Sequence, residues 1–128
     1  MGLDETNRKK VLVADDEPSV RSLLKRTLSK NYSVLEASDG EEAVDMARSQ
    51  KPDIILMDIL MPKVDGYTAC CMIKKDPVTK MIPIVMLTAL CQRLNMRLGK
   101  EMGADGYITK PFTSQEILDT VGQLLKSP

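Results

Sequence analysis

The chain has 128 residues, 43% of them hydrophobic and 28% charged, which fits one soluble globular domain able to remove roughly two thirds of its unfolded surface from water. Eighteen Lys and Arg offset eighteen Asp and Glu, so no global charge draws it to nucleic acid or an anionic membrane, and charge must act locally. The lack of any histidine excludes a Ser-His triad and a His-ligated metal, and the three cysteines, with Cys70 adjacent to Cys71, lack zinc-pair spacing and suit a reducing, cytoplasmic setting.

The opening "MGLDETNRKK" is polar, and residues 1–8 are expected to form a flexible tail ahead of a domain spanning 9–126. Met1, Gly2 and Thr6 formally match a myristoylation pattern, but Asp4 and Glu5 would face an acidic membrane surface, so a frayed terminus is the better reading. No apolar segment is long enough to span a bilayer.

A buried strand is expected at about residues 10 to 15, closing on Asp15, Asp16 and Glu17 before Pro18. One acid there is ordinary helix-start chemistry, because the first amides of a helix lack partners and its dipole favours negative charge. "SVRSLLKRTLSKN" then carries Val20, Leu23, Leu24, Thr27 and Leu28 at helical spacing. "YSVLEA" reads as the second strand, and "SDGEEAVDMARSQ" as the second helix, capped by Ser38 or Asp39. "DIILMDIL" is apolar almost throughout and is the candidate central strand, covered on both faces. "YTACCMIKK" follows as a third helix, "KDPVTKMIP" as a polar loop broken by two prolines, and "IPIVMLTA" as a fourth strand. A fourth helix is expected at about 90 to 102, closed by Gly103, and "GYITK" as a short fifth strand. Thr113 and Glu116 form a capping box for a last helix whose stripe is Ile117, Leu118, Val121, Leu124 and Leu125. Met57, Met72, Met86, Met96 and Met102 are expected to fill gaps in the core.

Five strand-helix units predict a parallel sheet with five helices on its two faces. Sites in such sheets form at the carboxyl ends of the strands. Here those ends deliver Asp15 and Asp16, Asp58, Thr88 and Lys110 to one edge. A single acid is a cap, but repeated placement on one edge points to a site.

"VLVADDEP", "DIILMDILMPKVDG", "VMLTA" and "GYITKPF", in that order over about residues 9 to 126, resemble the response-regulator receiver domain of two-component signalling. The resemblance implies the flavodoxin-like strand order 2-1-3-4-5, which is the order of the family's chemotaxis member. It further implies Asp58 as phosphoacceptor, Asp16, Asp58 and the Leu60 carbonyl as direct ligands of Mg²⁺, and Asp15 as a ligand through water. Thr88 and Lys110 would contact the phosphoryl oxygens, and Tyr107 would be a rotamer switch coupled to Thr88. The implied partners are a histidine kinase or histidine phosphotransfer protein as donor, docking on the first helix near Arg21, Lys25 and Arg26. An output protein or appended output domain would be reached through the fourth helix, fifth strand and fifth helix. Direct contact with nucleic acid or membrane is not implied.

The residues support this chemistry without the family. Clustered carboxylates raise one another's pKa unless a cation neutralises them, and an all-oxygen ligand set favours a hard ion such as Mg²⁺. An aspartate can attack phosphorus, and the transfer then depends on positioning and on charge stabilisation. Taken singly, Lys110 could be a solvated strand-end charge, Thr88 a β-branched strand residue and Tyr107 an amphipathic edge residue. Three rival functions fit the residues less well. A flavin-binding protein would need a loop that accepts phosphate where Asp15, Asp16 and Glu17 would repel it. An aspartyl-phosphate phosphatase or phosphotransferase typically has a second Asp two residues past the nucleophile, where this chain has Leu60. A non-phosphorylated pseudo-receiver usually lacks part of the acid, Asp and Lys set, all of which is present. Beyond its own phosphorylation and dephosphorylation, no enzymatic activity is expected. The resemblance also implies that the residues two past the phosphoacceptor and two past Thr88 tune hydrolysis of the acyl phosphate; here both are leucine, Leu60 and Leu90, which cannot orient an attacking water and are expected to prolong the phosphorylated state, while Leu90 could equally be packing in the fourth helix.

Overall fold

The computed structural model describes residues 8–89 and 103–126. Within them the chain alternates β1 (Lys10–Ala14), α1 (Pro18–Leu28), β2 (Ser33–Ala37), α2 (Gly40–Gln50), β3 (Ile54–Asp58), α3 (Gly66–Lys75), β4 (Ile84–Ala89), β5 (Gly106–Lys110) and α4 (Ser114–Lys126). The five strands form one parallel sheet in the order β2-β1-β3-β4-β5, as the family resemblance implied. Four helices are seen among the described residues. The expected helix at 90 to 102, Leu90 within it, and residues 1–7 of the expected tail lie outside them.

Alternation along the strands divides the core in two. Leu12, Ala14, Ile55 and Met57 face one side of the sheet, where Ala43 and Ala47 of α2 and Ala69, Cys70 and Ile73 of α3 cover them. Val11, Val13, Ile54, Leu56, Val85 and Leu87 face the other, under Leu24 and Leu28 of α1 and Ile117 and Val121 of α4. Every residue of β3 is buried, as expected of a central parallel strand. Met57 and Met86 are core residues, whereas Met72 lies on the exposed side of α3, a correction to its expected burial.

Local chemistry sets the ends of the helices. α1 stops at Leu28 rather than Asn31, because the Ser29 hydroxyl and amide both donate to the Lys25 carbonyl, while the amides of Asn31 and Tyr32 turn back to the Leu28 carbonyl. Asp39 caps α2, accepting from the Glu42 amide at 2.7 Å, while Glu42 accepts from the Ser38 amide at 2.7 Å, so both candidate residues take part. The expected capping box opens α4: the Glu116 amide donates to Thr113 Oγ1 at 3.1 Å and the Thr113 amide to Glu116 Oε1 at 3.4 Å. The register places Ala14 beside Ala37 and Met57, Asp58 beside Leu87, and Ala89 beside Lys110, so all five carboxyl ends share one edge.

Candidate functional site

Asp15 is the first residue beyond β1, and it is fully buried. All of its polar groups are engaged. Its amide donates to the Ala37 carbonyl at 3.1 Å, and its carbonyl accepts from Arg21 Nη1 at 2.7 Å. Oδ1 accepts from the Glu17 amide at 2.9 Å and Oδ2 from Lys110 Nζ at 3.0 Å. Lys110, at the end of β5, also lies 3.3 Å from Asp58 Oδ1, which accepts from the Ile59 amide at 2.9 Å. One ammonium thus bridges carboxylates delivered by two strand ends. The Lys110–Pro111 peptide bond is cis. Thr88 is buried at the end of β4, opposite Thr109 in the register.

Carboxylate oxygens of Asp15, Asp16 and Glu17 lie within 4.8 Å of one another, with Asp16 and Glu17 exposed. The expected trio was Asp15, Asp16 and Asp58. Glu17 joins the first two because the Asx turn of Asp15 onto its amide folds the loop back on itself, and Asp58 is tied to the group through Lys110. The third acid of "ADDE" was the available signal for Glu17. These are hard oxygen donors, and the residues fit a Mg²⁺ ion: Asp16 and Glu17 face solvent, and added positive charge would relieve the repulsion between Asp15 and Asp58.

Burial, and then the Asp15 charge, raise the Asp58 carboxyl above its ordinary value of 3.8, against the lowering effect of Lys110 and the Ile59 amide. Burial alone would lower the Lys110 ammonium, but the hydrogen bond to Asp15 and the charges of Asp58 and Asp15 outweigh it, and the net shift is upward. Since the folded pKa of Asp58 exceeds the unfolded one, the folded chain holds a proton that the unfolded chain has already released. Its contribution to stability is therefore lost as pH rises from about 3.8 through the raised value. In EDTA, Asp58→Asn should gain stability relative to the parent as pH rises through that window. Urea unfolding of both proteins from pH 4 to pH 7 measures the difference, and a gap that does not widen with pH would contradict it.

Other expected residues fall less centrally. The Leu60 side chain is 66% exposed, just past β3. Tyr107 is half-buried against the cluster that holds Tyr67 and Met86, and burial, followed by Tyr67 and Cys70, pushes its phenol up to about 12. Arg21 is not a free docking charge: its side chain is only 18% exposed, and it is bound to the Asp15 carbonyl and to Glu36 at 3.4 Å. Sequence reading also passed over Gly66. Its amide donates to the Ile59 carbonyl at 2.7 Å, and a Cβ at this position would collide with the Asp58 carbonyl.

A family model described as the response regulator receiver domain matches residues 11–122. The chain is 44% identical over 119 residues to the alkaline phosphatase synthesis transcriptional regulatory protein PhoP of Bacillus subtilis, covering 92% of this chain and 49% of PhoP. It spans about half the length of the curated relatives it matches. Among solved structures, a response regulator of Chloroflexus aurantiacus superposes with a TM-score of 0.90 at 36% identity, covering 94% of this chain and all of the other. The receiver domain of a sensor histidine kinase from Pseudomonas aeruginosa, with magnesium coordinated in its active-site cleft, gives 0.87 at 29% identity, covering 94% of this chain and 99% of that one.

Proposed function

The chain belongs to the response regulator receiver family of two-component phosphorelay signalling, and from that membership we propose that Asp58 is its phosphoacceptor, in a Mg²⁺ site made by Asp15, Asp16, Asp58 and the Leu60 carbonyl. The observation that carries the reading is the Lys110 ammonium, 3.0 Å from Asp15 and 3.3 Å from Asp58 at the carboxyl edge of the sheet. An oxygen of the Asp58 carboxylate attacks phosphorus and forms an acyl phosphate. The bond from phosphorus to the donor breaks, and the leaving group, an imidazole when the donor is phosphohistidine, departs with the electron pair and takes up a proton. Lys110 balances the negative charge on the phosphoryl oxygens, and the Thr88 hydroxyl donates to one of them. Bound Mg²⁺ supplies further positive charge and a template for those oxygens.

With no histidine in these 128 residues, the donor lies outside them. It is a histidine kinase, a phosphotransfer protein or a small acyl phosphate. Thr88 and Tyr107 then bias the surface that meets an output protein or an appended output domain, a ligand-dependent contact acting on a two-state element. Balanced net charge and the absence of a helix long and apolar enough to cross a membrane among the described residues suit a cytoplasmic protein-protein relay without direct nucleic-acid contact by this segment. Its enzymatic activity is confined to its own phosphorylation and dephosphorylation. Acetyl phosphate or phosphoramidate with Mg²⁺ should add one phosphoryl group, labile to hydroxylamine, and none in EDTA. Intact-mass spectrometry reads this, and an unlabelled chain in Mg²⁺ would refute the reading.

Leu60 bears on how long the phosphoryl group lasts. Its side chain is exposed but apolar, with no donor or acceptor to orient a water for attack on phosphorus. Replacing both leucines of the resemblance with polar groups, Leu60→Asn with Leu90→Glu, should speed loss of the phosphoryl group about ten- to a hundredfold, or about 1.4 to 2.7 kcal/mol off the barrier. Decay is followed at fixed Mg²⁺ after removal of the donor; a double variant that accepts phosphate normally yet decays no faster would show that these leucines do not set the lifetime.

A further inference from the structure

The segment 59–65, between β3 and α3, follows directly on Asp58 and carries the Leu60 carbonyl, and α2 holds it from the side. The first residue of α2 is Gly40, where a Cβ would collide with the carbonyl and side chain of Val64. Alanine is the better helix former at such a position, so the glycine serves the contact rather than the helix. Next to it, Asp39 both caps α2 and lies 3.7 Å from Lys63 Nζ. Lys63 itself has φ +68°, a left-handed conformation that side chains other than Gly and Asn rarely take, and one that persists where the surroundings enforce it. Val64 donates to the Pro62 carbonyl at 2.8 Å, and the far end of the segment is tied down by the hydrogen bond from Gly66 to Ile59.

We infer that the first turn of α2 is a positioning element for the phosphorylation site: Gly40 seats Val64 and Asp39 holds Lys63, and the segment so fixed sets where the Leu60 carbonyl and Asp58 stand. The inference rests on the metal site proposed above. Because coupling between sites is reciprocal, occupancy of that site must also tighten the first turn of α2, on a side of the sheet away from the β4–β5 edge.

Calorimetric titration of the full chain with Mg²⁺ tests it. Gly40→Ala should weaken Mg²⁺ about tenfold, as loss of a supporting contact behind a metal ligand does, with circular dichroism unchanged. Gly40→Ala with Lys63→Gly should recover most of the affinity, since a glycine lets the segment step aside without dragging Asp58. Hydrogen exchange on the unsubstituted chain gives a second reading that needs no variant: Mg²⁺ should slow exchange at the amides of residues 41–43 as well as at 59–65. A folded Gly40→Ala with unchanged Mg²⁺ affinity, or protection at 59–65 alone, overturns the inference and leaves the metal site standing. A parent chain that binds no Mg²⁺ overturns the site and the positioning element together.

Discussion

Asp58→Asn is expected to take up no phosphoryl group from acetyl phosphate or phosphoramidate, under conditions that label the parent fully. Asparagine keeps the shape of the side chain and leaves an oxygen to accept the Ile59 amide, so the loop geometry should survive. What disappears is the anionic oxygen that attacks phosphorus, since a neutral amide is a poor nucleophile. Asp15 cannot stand in: it is fully buried, with one oxygen held by the Glu17 amide and the other by Lys110. Asp16 is exposed on the loop after β1, and the Lys110 ammonium contacts its neighbour Asp15 and Asp58 instead. Intact-mass spectrometry with and without hydroxylamine gives the answer, and labelling at the parent level in Asp58→Asn would remove Asp58 from the role.

Much of the fold was legible because each element obeys one period. The alternation of Val11 and Val13 with Leu12 and Ala14 sends the two sets to opposite cores, and the unbroken apolar run of β3 reports cover on both faces. Caps were legible for the same local reason, with Asp39 and the Thr113 and Glu116 pair made from residues three apart. The end of α1 was not. Residues 29 to 31 continue a helix-compatible sequence, and the turn is decided by a serine hydroxyl that competes for a backbone carbonyl. Met72 was misplaced because helical spacing alone does not say how wide the buried stripe on α3 is.

In the site, the residues that arrive by strand order were visible, because any residue at a strand's carboxyl end must reach the same edge. Asp15, Asp58, Thr88 and Lys110 are all of this kind. The residues that were missed act through long-range packing. Nothing near Gly40 in sequence signals that Val64 rests against it, and nothing near Gly66 signals the Asp58 carbonyl. Arg21 looked like a surface charge because its partners, Glu36 and the carbonyl of Asp15, come from β2 and from the loop beyond β1. A carbonyl partner leaves no trace in side-chain chemistry, so no pattern of charges could have revealed it.

Lys110→Ala separates the two positive charges at the site. Its ammonium contacts Asp15 at 3.0 Å and Asp58 at 3.3 Å, and those contacts outweigh the burial that would otherwise lower its pKa. Removing it leaves the Asp58 carboxyl with burial and the Asp15 charge raising its pKa and the main opposing influence gone. In the absence of a divalent ion the variant should therefore be less stable than the parent, because breaking a buried pair strands its partner. Mg²⁺ affinity should be largely intact, since the ion's ligands are carboxylates and a carbonyl rather than the lysine, so Mg²⁺ should stabilise both proteins alike and leave the gap between them in place. Phosphoryl transfer is another matter. The ammonium acts on charge that grows on the phosphoryl oxygens, and losing one such preorganised donor costs about 10²- to 10³-fold in rate, or about 2.7 to 4 kcal/mol. Mg²⁺ affinity by calorimetry and the labelling rate at saturating Mg²⁺ are measured side by side. A rate close to that of the parent would assign Lys110 to holding the fold together; a rate that falls only in step with Mg²⁺ affinity would assign it to the metal; a large fall in rate at full Mg²⁺ occupancy places its charge on the phosphoryl group.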